Sequence, residues 1–166
     1  HTQRISDGIQ MITVPIWPDE TDTATLLGMP PQQLLFARWR QDLFRYTLYP
    51  ATPPIQPGYA YFVKLPLARD VTFDGIRPAE DRPFAVPLQV GWNQIGNPVR
   101  VTGQTSLANV WVQTGPNDPA IGWDEAVTNG WVSPTVFLFD RDISNPDAGT
   151  NQPATAFEAL KGYWVR

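Results

Sequence analysis

Hydrophobic and polar residues alternate with a period of two in many short segments of this chain, and glycine or proline separates most of them. Residues 34–40, for example, place Leu35, Ala37 and Trp39 on one face of an extended strand. Residues 58–65 are apolar on both faces, as expected for a central strand. The pattern predicts strands at residues 10–16, 34–40, 43–49, 58–65, 70–74, 84–90, 92–97, 108–113, 135–140 and 163–166. Short strands at such close spacing indicate a β-sandwich or barrel.

Helix signals are few and brief. Asp22 is a good N-cap for a helix at residues 23–27, and Gly28 follows as its stop. The pattern also predicts helices at residues 123–128 and 154–160. The fold class is therefore all-β with a few short helices.

Part of the sequence occurs twice. GIQMITVP at residues 8–15 returns as GWNQIGNP at 91–98, displaced by 83 positions. YFVK at residues 61–64 returns as YWVR at 163–166, displaced by 102. The change of displacement places an insertion of 19 residues in the second copy, around residues 100–122. Such self-similarity is typical of a duplicated structural unit.

Two further matches support the larger displacement: Asp22 and Gly28 correspond to Asp124 and Gly130. We therefore predict one domain over residues 1–166, built from two pseudo-symmetric repeats at about 8–82 and 84–166.

Composition narrows the possible functions. The net charge is −4, and Arg38, Arg40 and Arg45 form the only basic cluster, so the basic surface of a nucleic-acid-binding protein is missing. No apolar run approaches the ~20 residues that span a bilayer. The chain has no cysteine, which excludes disulfides, thiolate metal sites and a cysteine nucleophile.

Catalytic residue sets are hard to assemble from this sequence. His1 is the only histidine, so a histidine-brace copper site, which needs a second histidine, cannot form within the chain, and His1 alone could serve a Ser-His-Asp triad. Nearly all carboxylates fall in predicted turns or caps, where aspartate has a structural role. We therefore predict that the protein is not an enzyme. A hydrolase that uses a carboxylate pair is a weaker alternative.

Calcium is the one metal with candidate ligands. Asp140, Asp142 and Asp147 lie in one polar segment together with Asn145 and Asn151. Calcium binds six to eight oxygens, but the spacing is not that of an EF-hand loop, and acidic turns are common. We therefore assign no cofactor and no metal.

Aromatic residues are abundant, with 7 Trp, 8 Phe and 5 Tyr. We interpret those in repeat-matched strands or beside helix ends as core residues: Tyr61, Phe62, Trp92, Trp131 and Trp164. Trp39, Phe44 and Tyr46 also point to an apolar face. Four aromatic residues in predicted loops are candidates for stacking on a ligand: Trp17, Tyr49, Trp111 and Trp123. Burial is the competing explanation for each of them.

Three strings of the second unit resemble a known type of repeat: LQVGWNQIGNP at residues 88–98, EAVTNGWVSPT at 125–135 and FEALKGYWV at 157–165. They are similar to tandem modules of secreted and surface bacterial proteins, in which GWN-x-IGNP opens a unit and GYWV closes it. Such modules include C-terminal, carbohydrate-binding-like accessory modules of polysaccharide-degrading enzymes. The first unit departs from the pattern, with Ile9 in place of the tryptophan.

The resemblance implies an accessory module outside the bacterial cell or on its surface, and it transfers no binding residue. Two hypotheses follow. The first is a non-catalytic carbohydrate-binding module that targets an attached enzyme to plant polysaccharide (β-glucan, cellulose, xylan or mannan). The second is a structural or adhesive domain of a cell-surface protein with no sugar ligand.

Overall fold

The computed structural model describes all residues, 1–166, and shows an all-β fold, which confirms the predicted class. Sixteen strands form six antiparallel sheets, four of them two-stranded. The strands are β1 (Thr2–Ile5), β2 (Gly8–Thr13), β3 (Trp17–Pro18), β4 (Leu35–Arg40), β5 (Arg45–Leu48), β6 (Ala60–Leu65), β7 (Arg69–Thr72), β8 (Gly75–Ile76), β9 (Asn93–Gly96), β10 (Gln104–Ser106), β11 (Trp111–Val112), β12 (Ile121–Gly122), β13 (Val136–Arg141), β14 (Gly149–Ala154), β15 (Ala156–Glu158) and β16 (Gly162–Val165). The helices are α1 (Thr23–Leu27) and α2 (Trp123–Thr128). Neither is long and apolar enough to cross a membrane.

The two four-stranded sheets share one topology. Their strand orders are β2-β6-β4-β5 and β9-β16-β13-β14. In both sheets the strand that comes first in the sequence pairs with the strand that comes last. The register agrees as well: Ile12 lies opposite Tyr61, and Ile95 lies opposite Tyr163. The repeat boundaries at 8–82 and 84–166, and the single domain, stay predictions.

In the strand that comes last along the chain in each sheet, buried and half-buried side chains alternate from Tyr61 onward in β6 and from Tyr163 onward in β16. Tyr61 in β6 and Tyr163 in β16 are fully buried, and the residues that follow them, Phe62 and Trp164, turn to the opposite face and are half-buried. This is the two-residue period of an extended chain. One face of each sheet therefore covers a core, and the other carries aromatic rings.

The two helices end alike but begin differently. Asp22 caps α1, where its carboxylate accepts a hydrogen bond from the Thr25 N–H at 2.8 Å. Helix α2 starts after Gly122 without a side-chain cap. Gly28 and Gly130 follow the two helices with positive φ values of 61° and 72°, a conformation that suits glycine. The matched Asp124 lies in the first turn of α2, so it does not repeat the role of Asp22.

Each four-stranded sheet has its own core, and backbone hydrogen bonds join the two sheets. Fifteen buried residues form the first core and eight form the second. The Thr13 N–H donates to the Leu160 carbonyl at 3.3 Å, and the Gly96 N–H donates to the Gly58 carbonyl at 3.1 Å. These two bonds occupy corresponding positions of the two sheets. Each sheet thus continues into the other.

Three local predictions were wrong. Residues 154–160 are not a helix: β15 pairs with β10, and Phe157 inserts into the second core, so packing overrides helix propensity. Residues 84–90 form no regular strand, and Pro87 has no N–H to donate to a sheet. The polar segment that follows β13 contains a strand, β14, which pairs along the whole of β13.

An aromatic cleft between the two sheets

The four loop aromatics predicted to stack on a ligand lie on separate elements. Trp17 in β3 is 40% exposed and Trp111 in β11 is 68% exposed. Tyr49 packs on the first core, and its hydroxyl donates to the Asp22 carboxylate at 2.9 Å. Trp123 was expected to be accessible, which is wrong: it is 5% exposed, because as the first residue of α2 it packs into the second core.

A different set of aromatic residues comes together where the two sheets meet. Seven rings line an open cleft of about 630 Å³, and its one polar lining residue is Asn151. We call it the aromatic cleft. The rings form an unbroken series in the order Phe139, Phe62, Tyr46, Trp39, Trp164, Trp92 and Phe137, with neighbouring centroids 4.9–6.4 Å apart.

Corresponding strands of the two sheets supply the centre of the cleft. Phe62 and Trp164 occupy the same position of β6 and β16. Ala37 pairs with Phe62, and Phe137 pairs with Trp164. Trp39 and Phe139 lie two residues after these two positions, so they are equivalent to each other as well. The Phe62–Phe139 contact at 4.9 Å and the Trp39–Trp164 contact at 6.2 Å are therefore equivalent pairs. The aromatic cleft therefore lies where the two equivalent sheets meet.

The rings remain accessible from outside. Tyr46 is 41% exposed and Trp92 is 37% exposed, whereas the other five are half-buried. Burial raises the pKa of the Tyr46 phenol further above neutral pH, and the neutral phenol can donate a hydrogen bond. A ring of this kind offers a flat apolar face together with a polar edge. The cleft can therefore hold a ligand that has apolar faces of its own.

A smaller polar pocket adjoins the aromatic cleft and shares Trp39 and Trp92 with it. Its volume is about 110 Å³. We call it the polar pocket, and it is lined by Arg38, Trp39, Arg40, Gln41, Asp42, Tyr59, Pro87, Gln89, Trp92, Asn93, Gln94 and Ile95.

Hydrogen bonds in the polar pocket fix the position of Trp39. Its backbone N–H donates to Gln94 Oε1 at 2.5 Å, and its indole Nε1–H donates to Gln41 Oε1 at 2.9 Å. Arg40 donates two hydrogen bonds to the Asp42 carboxylate, at 2.8 and 2.6 Å. The hydrogen bond from Arg40 lowers the pKa of Asp42, so this pair stays charged.

Two of the three candidate calcium ligands, Asp142 and Asp147, have protein partners instead. Asp142 accepts hydrogen bonds from the hydroxyl and the backbone N–H of Ser144, which lower the pKa of its carboxyl group. Asp147 Oδ1 lies 2.7 Å from the Lys64 ammonium nitrogen. Asp140 is exposed on β13. No group of three or more histidine, cysteine or carboxylate side chains converges as a metal ion requires.

Sequence reasoning assigned three cleft residues, Phe62, Trp92 and Trp164, to the core. A signal against that assignment was available in the strand period. Phe62 lies two positions from Lys64, and Trp164 lies two positions from Arg166, so each shares a strand face with a charged residue. A face with an aromatic ring and a charge is more typical of a surface than of a core.

The comparisons with known proteins give no relative. The chain matches no protein-family model, no curated protein and no solved structure.

Proposed function

We propose that the protein is a non-catalytic carbohydrate-binding module whose aromatic cleft holds a polysaccharide chain. The observation that carries this proposal is the open series of seven aromatic rings beside a pocket of hydrogen-bonding side chains. Pyranose rings have apolar C–H faces and polar edges. The cleft offers aromatic faces for the first, and the polar pocket offers partners for the second.

The arrangement of charges favours binding over hydrolysis. A typical glycosidase places two carboxyl groups on either side of the scissile bond. Asp42 is the only carboxylate that lines either the cleft or the polar pocket, and Arg40 already holds it with two hydrogen bonds. These features support a module that binds a glycan without cleaving it.

Such a module acts by keeping an attached enzyme close to its substrate. Linkage raises the local concentration of the substrate without any new contact in the catalytic site. The resemblance of the second unit to accessory modules of exported bacterial proteins supports a parent polysaccharide-degrading enzyme and an extracellular or cell-surface location. The expected ligands are plant polysaccharides: β-glucan, cellulose, xylan or mannan.

Affinity electrophoresis in gels that contain each polysaccharide tests the proposal. We expect retardation on at least one of them and a clear loss of retardation for Trp92→Ala, because a central aromatic anchor commonly contributes more than 1 kcal/mol. Trp111→Ala is the matched control, since Trp111 is more exposed and lies outside the cleft. Absence of retardation on every polysaccharide, or an equal loss in the control, would contradict the proposal.

The packing of the rings favours a second candidate, a structural or adhesive domain. The rings of the cleft pack edge to face on one another, as in the Phe62–Phe139 pair at 89°, so they also hold the two sheets together. If Trp92→Ala and Tyr46→Ala lower thermal stability while the wild-type protein binds no glycan, this second function is the better explanation.

A further inference from the structure

The polar pocket contains hydrogen-bond donors that no group of the protein satisfies. Arg38 makes no ion pair and donates no side-chain hydrogen bond; its guanidinium carbon lies 3.8 Å from the centroid of the Tyr59 ring. Stacking on a ring leaves the N–H groups at the edge of the guanidinium plane free. Gln94 is only 3% exposed; its Oε1 accepts the hydrogen bond from Trp39, and its Nε2 has no hydrogen-bond partner.

Several acceptors of the same pocket, in contrast, are already engaged. The Asp42 carboxylate binds Arg40, and Gln41 Oε1 binds the Trp39 indole. Asn93 Oδ1 accepts from the Gln89 N–H at 2.9 Å. With Arg38 unpaired, the lining has an excess of one positive charge in a chain whose net charge is −4. The hydrogen-bond donors of the polar pocket that remain free therefore suit a negatively charged acceptor.

The first unit serves as an internal comparison for Gln94. In the β9–β16 pair, Gln94 lies opposite Trp164, and in the β2–β6 pair Met11 lies opposite Phe62. Met11 thus holds the equivalent position and is buried to the same degree, at 2% exposed. The fold accepts an apolar side chain here. The Oε1 of Gln94 supports Trp39, but its Nε2 has no partner in the scaffold.

The same comparison applies to Arg38. Ala37 lies opposite Phe62, and Arg38 is the next residue. In the other sheet Phe137 lies opposite Trp164, and Leu138 is the next residue. Leu138 thus holds the equivalent position of the other sheet. Both unsatisfied donors belong to one end of the cleft, and apolar residues replace them at the other end.

We propose that the polar pocket binds a carboxylate, so that the polysaccharide held by the aromatic cleft carries uronic acid residues. This inference rests on the proposed function. The guanidinium group matches a carboxylate in shape and charge, and hydrogen bonds between charged partners are the stronger ones. Because the pocket and the cleft share Trp39 and Trp92, one glycan chain can occupy both. A pocket of about 110 Å³ has room for a group the size of a few water molecules.

Isothermal titration calorimetry with two pairs of polymers tests the inference: glucuronoxylan and polygalacturonate, each against its carboxyl-reduced form. We expect the wild-type protein to bind at least one acidic polymer about tenfold or more tightly than its reduced form, as for loss of a hydrogen bond to a charged group. The preference is expected to weaken as salt is added.

Two variants copy the residues of the other unit, which the fold accepts at the equivalent positions. Gln94→Met also removes the acceptor of the Trp39 N–H, so the melting temperature of each variant is measured alongside binding. Arg38→Leu and Gln94→Met are each expected to reduce the preference for the acidic polymer. Arg100→Leu is the control, since it makes the same change of charge at an exposed position outside the pocket. Equal loss in this control shows that net charge alone governs binding and overturns the inference. If Arg38→Leu does not fold, Gln94→Met and the polymer comparison decide alone.

The outcomes separate this inference from the proposed function. Equal binding of an acidic polymer and its carboxyl-reduced form overturns the carboxylate site and leaves the carbohydrate-binding module standing. Binding of none of the four polymers, nor of the neutral glycans above, overturns both. An unchanged preference in Arg38→Leu and Gln94→Met also overturns the inference, because it places the carboxylate elsewhere.

Discussion

Removing the hydroxyl groups of Tyr61 and Tyr163 is expected to destabilise the protein at both cores. The two hydroxyls act alike: Tyr61 accepts a hydrogen bond from the Gln56 N–H at 3.0 Å, and Tyr163 accepts one from the Glu158 N–H at 2.7 Å. In each case the donor lies five residues before the tyrosine, and this bond holds the segment that enters the last strand of the sheet. Tyr61 also donates to the Pro54 carbonyl at 3.2 Å.

The magnitude follows from the groups left without partners. An orphaned buried donor costs about 1–3 kcal/mol. Gln56 and Glu158 are exposed residues, so water can reach part of the vacated site, and the lower half of that range applies. We expect about 1 kcal/mol for Tyr163→Phe. Tyr61→Phe also orphans a carbonyl, so we expect about 2 kcal/mol there. Roughly 2–4 °C of melting temperature corresponds to each kcal/mol for a chain of this size.

Urea denaturation followed by circular dichroism measures both changes. The joined sheets are expected to unfold as one unit, so the double variant should show the sum of the two single effects with an unchanged m value. A double variant that melts in two separate transitions would refute the cooperative coupling of the sheets. A Tyr61→Phe variant as stable as wild type, or less affected than Tyr163→Phe, would refute the hydrogen-bond reasoning.

The remaining predictions concern pH and packing. Burial raises the pKa of both core tyrosines to about 12, so the stability they contribute is complete below pH about 10 and is lost as the pH rises towards 12. The double phenylalanine variant should show a shallower loss in alkaline denaturation, and an equal slope would contradict this. The backbone hydrogen bond from Thr25 is the main cause of the lowered pKa of Asp22. Asp22→Ala should therefore lower the melting temperature at pH 7. The effect should become smaller as the pH falls through the lowered pKa of Asp22, because the carboxylate is then protonated in the wild-type protein. An effect that does not depend on pH would show that the charge of Asp22 does not stabilise the helix. In Gly96→Ala the new methyl group would overlap the Thr13 side chain and lie 2.8 Å from the Lys161 carbonyl oxygen, which should cost about 1–3 kcal/mol in urea denaturation. A Gly96→Ala variant as stable as the wild-type protein would instead show that the two sheets are loosely packed where they join.

The repeated strands could be read from the sequence because their period is local. The apolar run around Tyr61 and the matching string around Tyr163 mark strands wherever they lie in the fold. The β15 strand could not be read in this way, because residues 154–160 favour a helix and only pairing with β10 and burial of Phe157 make them extended. Such long-range pairing leaves little trace in a short stretch of sequence.

The cleft could not be derived from the sequence for a related reason. Alternation shows that Phe62 and Trp164 turn away from their own cores, but it does not show what they meet. Their meeting with Trp39 and Phe139 depends on how the two sheets are joined. That join consists of backbone hydrogen bonds at Thr13 and at other positions far apart in the chain. Loop aromatics such as Trp111 were better candidates on sequence grounds, and the structure leaves them on separate elements.

Comparison of equivalent positions in the two units distinguishes the residues that the fold requires from those that it tolerates. Tyr61 and Tyr163 keep the same residue type, the same burial and the same hydrogen bond, so these features belong to the fold.

The copies differ where the polar pocket opens beside the cleft. Trp92, the tryptophan of the GWN string, lines both the cleft and the pocket, whereas Ile9 stands at the matching position of the first unit. Only four of the seven rings are equivalent in pairs, so the two ends of the cleft differ in aromatic as well as in polar groups. A polysaccharide chain has two different ends, and under the proposed function such a cleft would bind it in one direction. The equivalent strands therefore account for the paired rings where the two sheets meet, and the residues that differ between the two sheets account for the polarity that a directional ligand would require.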